Sequence, residues 1–140
     1  MSDTFKAIVI NQEGENFSRE IKDIDESFLG EGDVLVKVDY SDLNFKDALI
    51  LKNGAKLVKE FPRIPGIDFS GKVVESNTDN FKKDDEVILT GCRVGEIYHG
   101  GYSQFVKVKK EQATTVTNFY LGQFKDDLSY QNRYLRFIAK

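Results

Sequence analysis

The sequence predicts a mostly β domain with one short helix, folded as a barrel or a sandwich. Three observations point there. Short runs rich in β-branched and aromatic residues recur between residues 5 and 108; clusters of Asn, Asp and Gly separate them; and only residues 44–52 carry helix boundary signals within that span.

In chain order, Phe5–Ile10 reads as a strand ending at the turn-prone Asn11–Asn16, and Phe17–Ile24 as its hairpin partner. Asp25–Asp33, with Gly30 and Gly32, reads as a loop. Val34–Tyr40 is the clearest strand, with Val34, Val36, Val38 and Tyr40 expected on one face and Lys37 and Asp39 on the other. Ser41 or Asp42 is expected to cap the helix, Phe45, Ala48 and Leu49 to follow at helical spacing, and Asn53-Gly54 to end it. Pattern alone turns Phe45 inward and leaves Lys46 and Asp47 solvated. A polar loop holding both prolines leads to strand Phe69–Glu75, where Gly71 marks a bulge or a close backbone approach. Glu86–Leu89 reads as a buried strand, Gly91–Gly101 as a long surface loop, and Tyr102–Val108 as the last strand. The tail reads differently. Phe124, Leu128, Leu135 and Ile138 fall near a helical period, giving an amphipathic helix over 121–139. The expected division is a domain at 1–109 and a tail at 110–140.

A chain of 140 residues is long enough to bury a core without disulfides or metal. With 20 basic against 23 acidic residues and no basic block, binding of nucleic acid or anionic membranes by bulk charge is not suggested. The single cysteine, Cys92, cannot form an internal disulfide, which fits a reducing compartment. No signal peptide and no membrane-length apolar run is seen, so a soluble cytoplasmic protein is expected.

The motif-bearing stretch is Tyr40–Gly71, with Leu43-Asn44-Phe45-Lys46-Asp47 followed by Pro65-Gly66-Ile67-Asp68-Phe69-Ser70-Gly71. Together with Thr90-Gly91-Cys92-Arg93-Val94-Gly95-Glu96 and the later Gly100-Gly101, it resembles the catalytic GroES-like domain of the medium-chain dehydrogenase/reductase superfamily. The likeness is strongest to the zinc-independent quinone oxidoreductase branch, in its acryloyl-CoA reductase (YhdH/AcuI-like) group, and it spans about Phe5–Lys109. It implies a GroES-like partly open β-barrel. It also implies an NADPH-dependent oxidoreductase reducing an activated C=C bond of the acryloyl-CoA, enoyl or quinone type.

The zinc-binding cysteine and histidine of other branches align with Asn44 and Ile67, and an amide and an alkyl group cannot replace thiolate and imidazole. No metal is therefore expected. By the resemblance, Asn44 and Phe45 occupy the catalytic positions, where Asn44 would orient cofactor or substrate; Phe45 stands where the group has tyrosine, and so lacks a hydroxyl for proton donation. Asn44 and Thr90 are the cofactor-side candidates, and Phe45, Ile67, Tyr98 and His99 the substrate-pocket candidates. Asp68 is read as a structural carboxylate pairing with a nearby backbone group or Arg63. Arg93 replaces a glycine of the group and Gln104 its usual glutamate. Cys92 has no activating surroundings for a nucleophile.

The family's Rossmann domain, with its glycine-rich turn for the NADPH pyrophosphate, is not recognised in the chain. The expected chain is thus a substrate-side half, the product of a truncated or separately encoded gene and inactive alone, with a Rossmann domain or a second copy as partner. The alternative is a stand-alone GroES-like domain that binds a partner or is vestigial. A co-chaperonin ring is disfavoured, since nothing resembles its mobile apolar loop.

Overall fold

A computed structural model describes residues 4–116, so the helix expected over 121–139 lies outside the described residues. Among the described residues, strands and a helix follow in the order β1 (Phe5–Glu13), β2 (Asn16–Ile24), β3 (Val34–Ser41), α1 (Phe45–Asn53), β4 (Phe69–Ser76), β5 (Glu86–Leu89), β6 (Phe105–Val108) and β7 (Thr114–Thr115). The hairpin β1–β2 forms one sheet; the other runs β6-β3-β4-β5-β7, antiparallel throughout. The fold is mostly β, as the sequence implied, and the barrel stays open. β1 meets the rest of the chain through single bridges, Ala7 with Ser103 and Ile10 with Arg63. The expected last strand is shorter than Tyr102–Val108, because its start turns to β1: Ile8 N–H donates to Tyr102 O and Gln104 N–H to Lys6 O, while Gln104 O still accepts from Val38 N–H of β3. The two-residue β7 follows it on the far edge.

β3 lies inside the sheet between β6 and β4, and its Val34-Leu35-Val36 run is buried on both faces. Val34 and Val36 join Phe69, Val73, Val87, Leu89, Val94, Val106 and Val108 in one cluster. Leu35 points the other way, onto Phe5, Ala7, Val9, Ile24, Leu29 and Ile64. The expected alternation fails at Tyr40, which is 54% exposed. Pairing with β4 slips between Val38 and Tyr40, leaving Asp39 as an extra residue, and such a bulge re-aims the side chains after it. Opposite it sits Gly71, where a Cβ would overlap the Lys37 carbonyl oxygen and lie 2.9 Å from Lys37 C. The close approach marked by that glycine is therefore real, and the bulge sits in the partner strand.

Two further expectations change. The loop 25–33 contains a 3-10 turn, Glu26–Leu29, capped by the Asp25 carboxylate, which accepts from Ser27 N–H at 2.9 Å. The Gly91–Gly101 segment is not a surface loop throughout: Val94, Gly95, Glu96, Gly100 and Gly101 are buried. Its end lies flat on the Ile64–Gly66 segment, with Gly100 N–H donating to Ile64 O at 2.7 Å and Gly101 N–H to Gly66 O at 2.9 Å. Only a residue without Cβ fits at Gly100, where one would stand 2.5 Å from Pro65 O. No helix among the described residues is long and apolar enough to cross a membrane.

Candidate functional site

The chain leaves β3, turns through Asp42 and Leu43, and starts α1 with Asn44 as the cap rather than Ser41 or Asp42. Asn44 has extended backbone (φ −92°, ψ 165°), and Gly54 ends the helix in the left-handed region at φ 71°. The helix buries a different face from the expected one. Asp47 and Ile50 are fully buried, while Phe45 is 80% exposed and Ala48 and Leu49 also face outward. Asp47 is drawn in because its carboxylate is needed there. Oδ2 accepts from Asn44 N–H at 3.0 Å, and Oδ1 from the buried Ile67 N–H at 3.0 Å. One side chain thus ties the start of α1 to the segment leading into β4.

Asn44 is held from two further sides. Its Nδ2 donates to Asp68 Oδ2 at 2.8 Å and to Asp42 Oδ1 at 3.0 Å. Two carboxylates demand the NH2 end of the amide, so its orientation is set by its partners; the carbonyl oxygen faces the Asp47 N–H in a capping box and keeps a second lone pair for a ligand. Asp68 is buried and accepts a second bond from Gly91 N–H at 2.8 Å. It pairs with backbone, as one reading had it, and not with Arg63, whose ion pair is with Glu60. Thr90 is half-buried immediately before Gly91, and Ile67 is buried with its amide on Asp47. Lys46 reaches across to the buried Glu96, Nζ to Oε1 at 2.6 Å, fastening the 91–101 segment to the helix.

Three carboxylates around one amide repel each other. Burial first, then the charges of Asp68 and Asp47, push Asp42 up to about 6 from an ordinary 3.8. Burial also raises Asp47 and Asp68. Tyr102 donates its hydroxyl to the Asp42 carbonyl at 2.8 Å, and burial followed by the nearby carboxylates raises its phenol too. For Asp42 the folded value lies above the unfolded one, so the folded chain holds more protons between pH 4 and 6. Stability then falls as pH rises through that window. Asp42→Asn keeps an acceptor for Asn44 and removes the charge. It is expected to stabilise the fold at pH 7 by about 1 kcal/mol, the full shift being reduced by solvent screening at this half-buried site. Thermal melts from pH 4.5 to 7.5 would show a flatter profile in the variant; equal slopes in both proteins would contradict the assignment.

Tyr98 and His99 do not join this cluster. They line a pocket of about 230 Å³ with Arg63, Leu29, Lys107, Lys109 and Gln112, a lining that includes none of Asn44, Phe45, Ile67 or Thr90. His99 is no surface residue. Its Nδ1 accepts from Ile64 N–H at 3.1 Å, its ring lies 5.2 Å from Phe28, and burial with the Arg63 charge lowers it to about 4. The sequence pattern offered Asp42 only as a cap candidate and Asp47 as solvated, although Asn44 with an acidic residue three positions on is a variant of the capping box.

Aligned zinc positions Asn44 and Ile67 sit at opposite ends of this network. Among the described residues no group of three or more His, Cys, Asp and Glu is placed to hold a metal ion. Arg93 and Cys92 adopt φ of 58° and 51°, the left-handed region that suits the glycine Arg93 replaces. Gln104 keeps an acceptor where the group has glutamate, taking Lys6 N–H on Oε1 at 2.8 Å.

Known proteins resemble this chain in sequence and fold. Acrylyl-CoA reductase AcuI of Ruegeria pomeroyi is 40% identical over 109 residues, covering 76% of this chain and 33% of that protein. The crystal structure of Escherichia coli K-12 YhdH with bound NADPH superposes with a TM-score of 0.76 at 40% identity, covering 79% of this chain and 34% of that one. A stretch of 33 residues, 24% of this chain, is 76% identical to GTP cyclohydrolase 1 of Pelagibacter ubique and covers 16% of it. The chain spans about a third of the length of the reductases it matches. Residues 30–118 match the profile of the alcohol dehydrogenase GroES-like domain, and they include α1, β4 and the segment that carries Asp68 and Gly91. With that match over most of its length, the chain belongs to the alcohol dehydrogenase GroES-like domain family.

Proposed function

We propose that this chain forms the substrate-side half of a zinc-independent, NADPH-dependent oxidoreductase that reduces an activated C=C bond of the acryloyl-CoA, enoyl or quinone type. The observation that carries this is Asn44. Its amide is fixed by two carboxylates at the mouth of α1, its oxygen facing the Asp47 N–H with a second lone pair open, beside an exposed apolar side chain. NADPH, when bound, supplies the hydride. Asn44 Oδ1 accepts from a donor on the cofactor or substrate and fixes its angle, while Phe45 and Leu43, 80% and 63% exposed, give a water-poor wall. No proton passes through Phe45, which has none to give. Thr90 sits one residue from the Asp68 contact and offers a hydroxyl on the cofactor side. Ile67 joins the site through its amide, which donates to Asp47.

One wall holds a dinucleotide weakly. The 140-residue chain alone is expected to bind NADPH no better than about 1 mM by calorimetry. Mixed with or fused to the Rossmann domain of a related reductase, it should oxidise NADPH with acryloyl-CoA. Asn44→Ala should then lower kcat about 10- to 100-fold, with the fold intact. Micromolar binding by the chain alone would overturn the half-site reading. A folded chimera without activity would favour the partner-binding or vestigial alternative.

A further inference from the structure

We infer that the pocket lined by Arg63, His99, Lys107 and Lys109 is a binding site for a small oxyanion of the phosphate class, separate from the Asn44 cluster. Arg63 is the ground for this. The residue is only 8% exposed, and its Nε is buried with no hydrogen-bond partner among the described residues. A guanidinium stays charged at any physiological pH, and a buried one is normally matched by a bidentate carboxylate or several carbonyls. The counter-charge here is Glu60, 3.6 Å from NH2 and 85% exposed, where water screens it. Arg63 therefore stands short of acceptors while lining a pocket of about 230 Å³, room for a phosphate monoester headgroup.

The rest of the lining suits an acceptor-rich ligand. His99 Nδ1 is occupied by the Ile64 N–H, so the neutral ring carries its proton on Nε2 as a donor. Lys109 has no carboxylate partner among the described residues and lies 5.1 Å from the Tyr98 ring centre. Lys107 is already paired with Glu26 at 2.8 Å, and Glu31 sets one carboxylate against the three cations. Gln112 adds a further polar group at the rim.

The test is titration of the ¹⁵N-labelled 140-residue protein at constant ionic strength with inorganic phosphate and with methyl phosphate. The two probes separate a free-phosphate site from an ester site. Saturable amide shifts centred on Gly30, His99 and Gln112 are expected, with Kd on the order of 1 mM or tighter. Arg63→Gln should weaken binding about tenfold or more, and Lys109→Ala about threefold. Glu31→Gln should tighten it. If Arg63→Gln does not fold, the opposite responses of the two rim variants decide the matter, and no change in either overturns the site. Shifts that grow linearly and spread over surface lysines would also overturn it.

Discussion

Gly71→Ala is expected to unfold the protein or to lower its stability by about 3 kcal/mol or more, seen as a fall in melting temperature of about 15 °C. The added methyl would overlap the Lys37 carbonyl oxygen and crowd Val36 Cγ1 at 2.9 Å, in the middle of the β3–β4 pairing. Neither neighbour can swing away, since one is backbone and the other is packed in the main core. Gly14→Ala is the matched control. It sits at φ 62° in the β1–β2 turn with nothing within 4 Å of a new Cβ, so only backbone strain of about 1 kcal/mol applies. Similar losses in both variants would mean that the crowding at Gly71 is relieved at little cost.

The second large effect belongs to Asp47. Asp47→Ala leaves the N–H groups of Asn44 and Ile67 without acceptors, the second of them buried, for a loss of about 3 kcal/mol. Asp47→Asn should do little better, because one of the two N–H donors would then face the NH2 of the new amide. The contrast with Asp42→Asn is the informative part. If repulsion among the three carboxylates governed the site, both asparagine substitutions would stabilise. If acceptor geometry governs at Asp47, the two have opposite signs in the same denaturation assay. A neutral or stabilising Asp47→Asn would remove Asp47 from the role assigned to it.

These cases show where the sequence was readable. Strands β3, β4 and β5 and the helix stood out because each is bounded by turn residues and built from β-branched or helix-spaced side chains. The faces were harder. Periodicity assigned Tyr40 to the core side, and the bulge at Asp39 reversed it; a one-residue insertion leaves no trace in the pattern of a single strand. Phe45 and Asp47 exchanged expected roles for a related reason. Hydrophobicity ranks phenylalanine inside and aspartate outside, but two backbone N–H groups meeting under α1 require an acceptor there, and that demand comes from residue 67, twenty positions away. Asn44 was legible as a site candidate only through the family resemblance. That its amide is held by Asp42 and Asp68 could be seen only once β3, α1 and the segment before β4 were brought together.

The segment 102–108 serves both sheets, its start pairing with β1 and its end with β3. During synthesis this has a consequence of timing. The first hairpin is made early, yet Ile8 cannot find the Tyr102 carbonyl until nearly a hundred further residues have been added. The apolar faces of β1 and β3 therefore wait together for one late stretch of chain, and a ribosome-bound nascent chain ending before residue 108 carries an exposed, unclosed core.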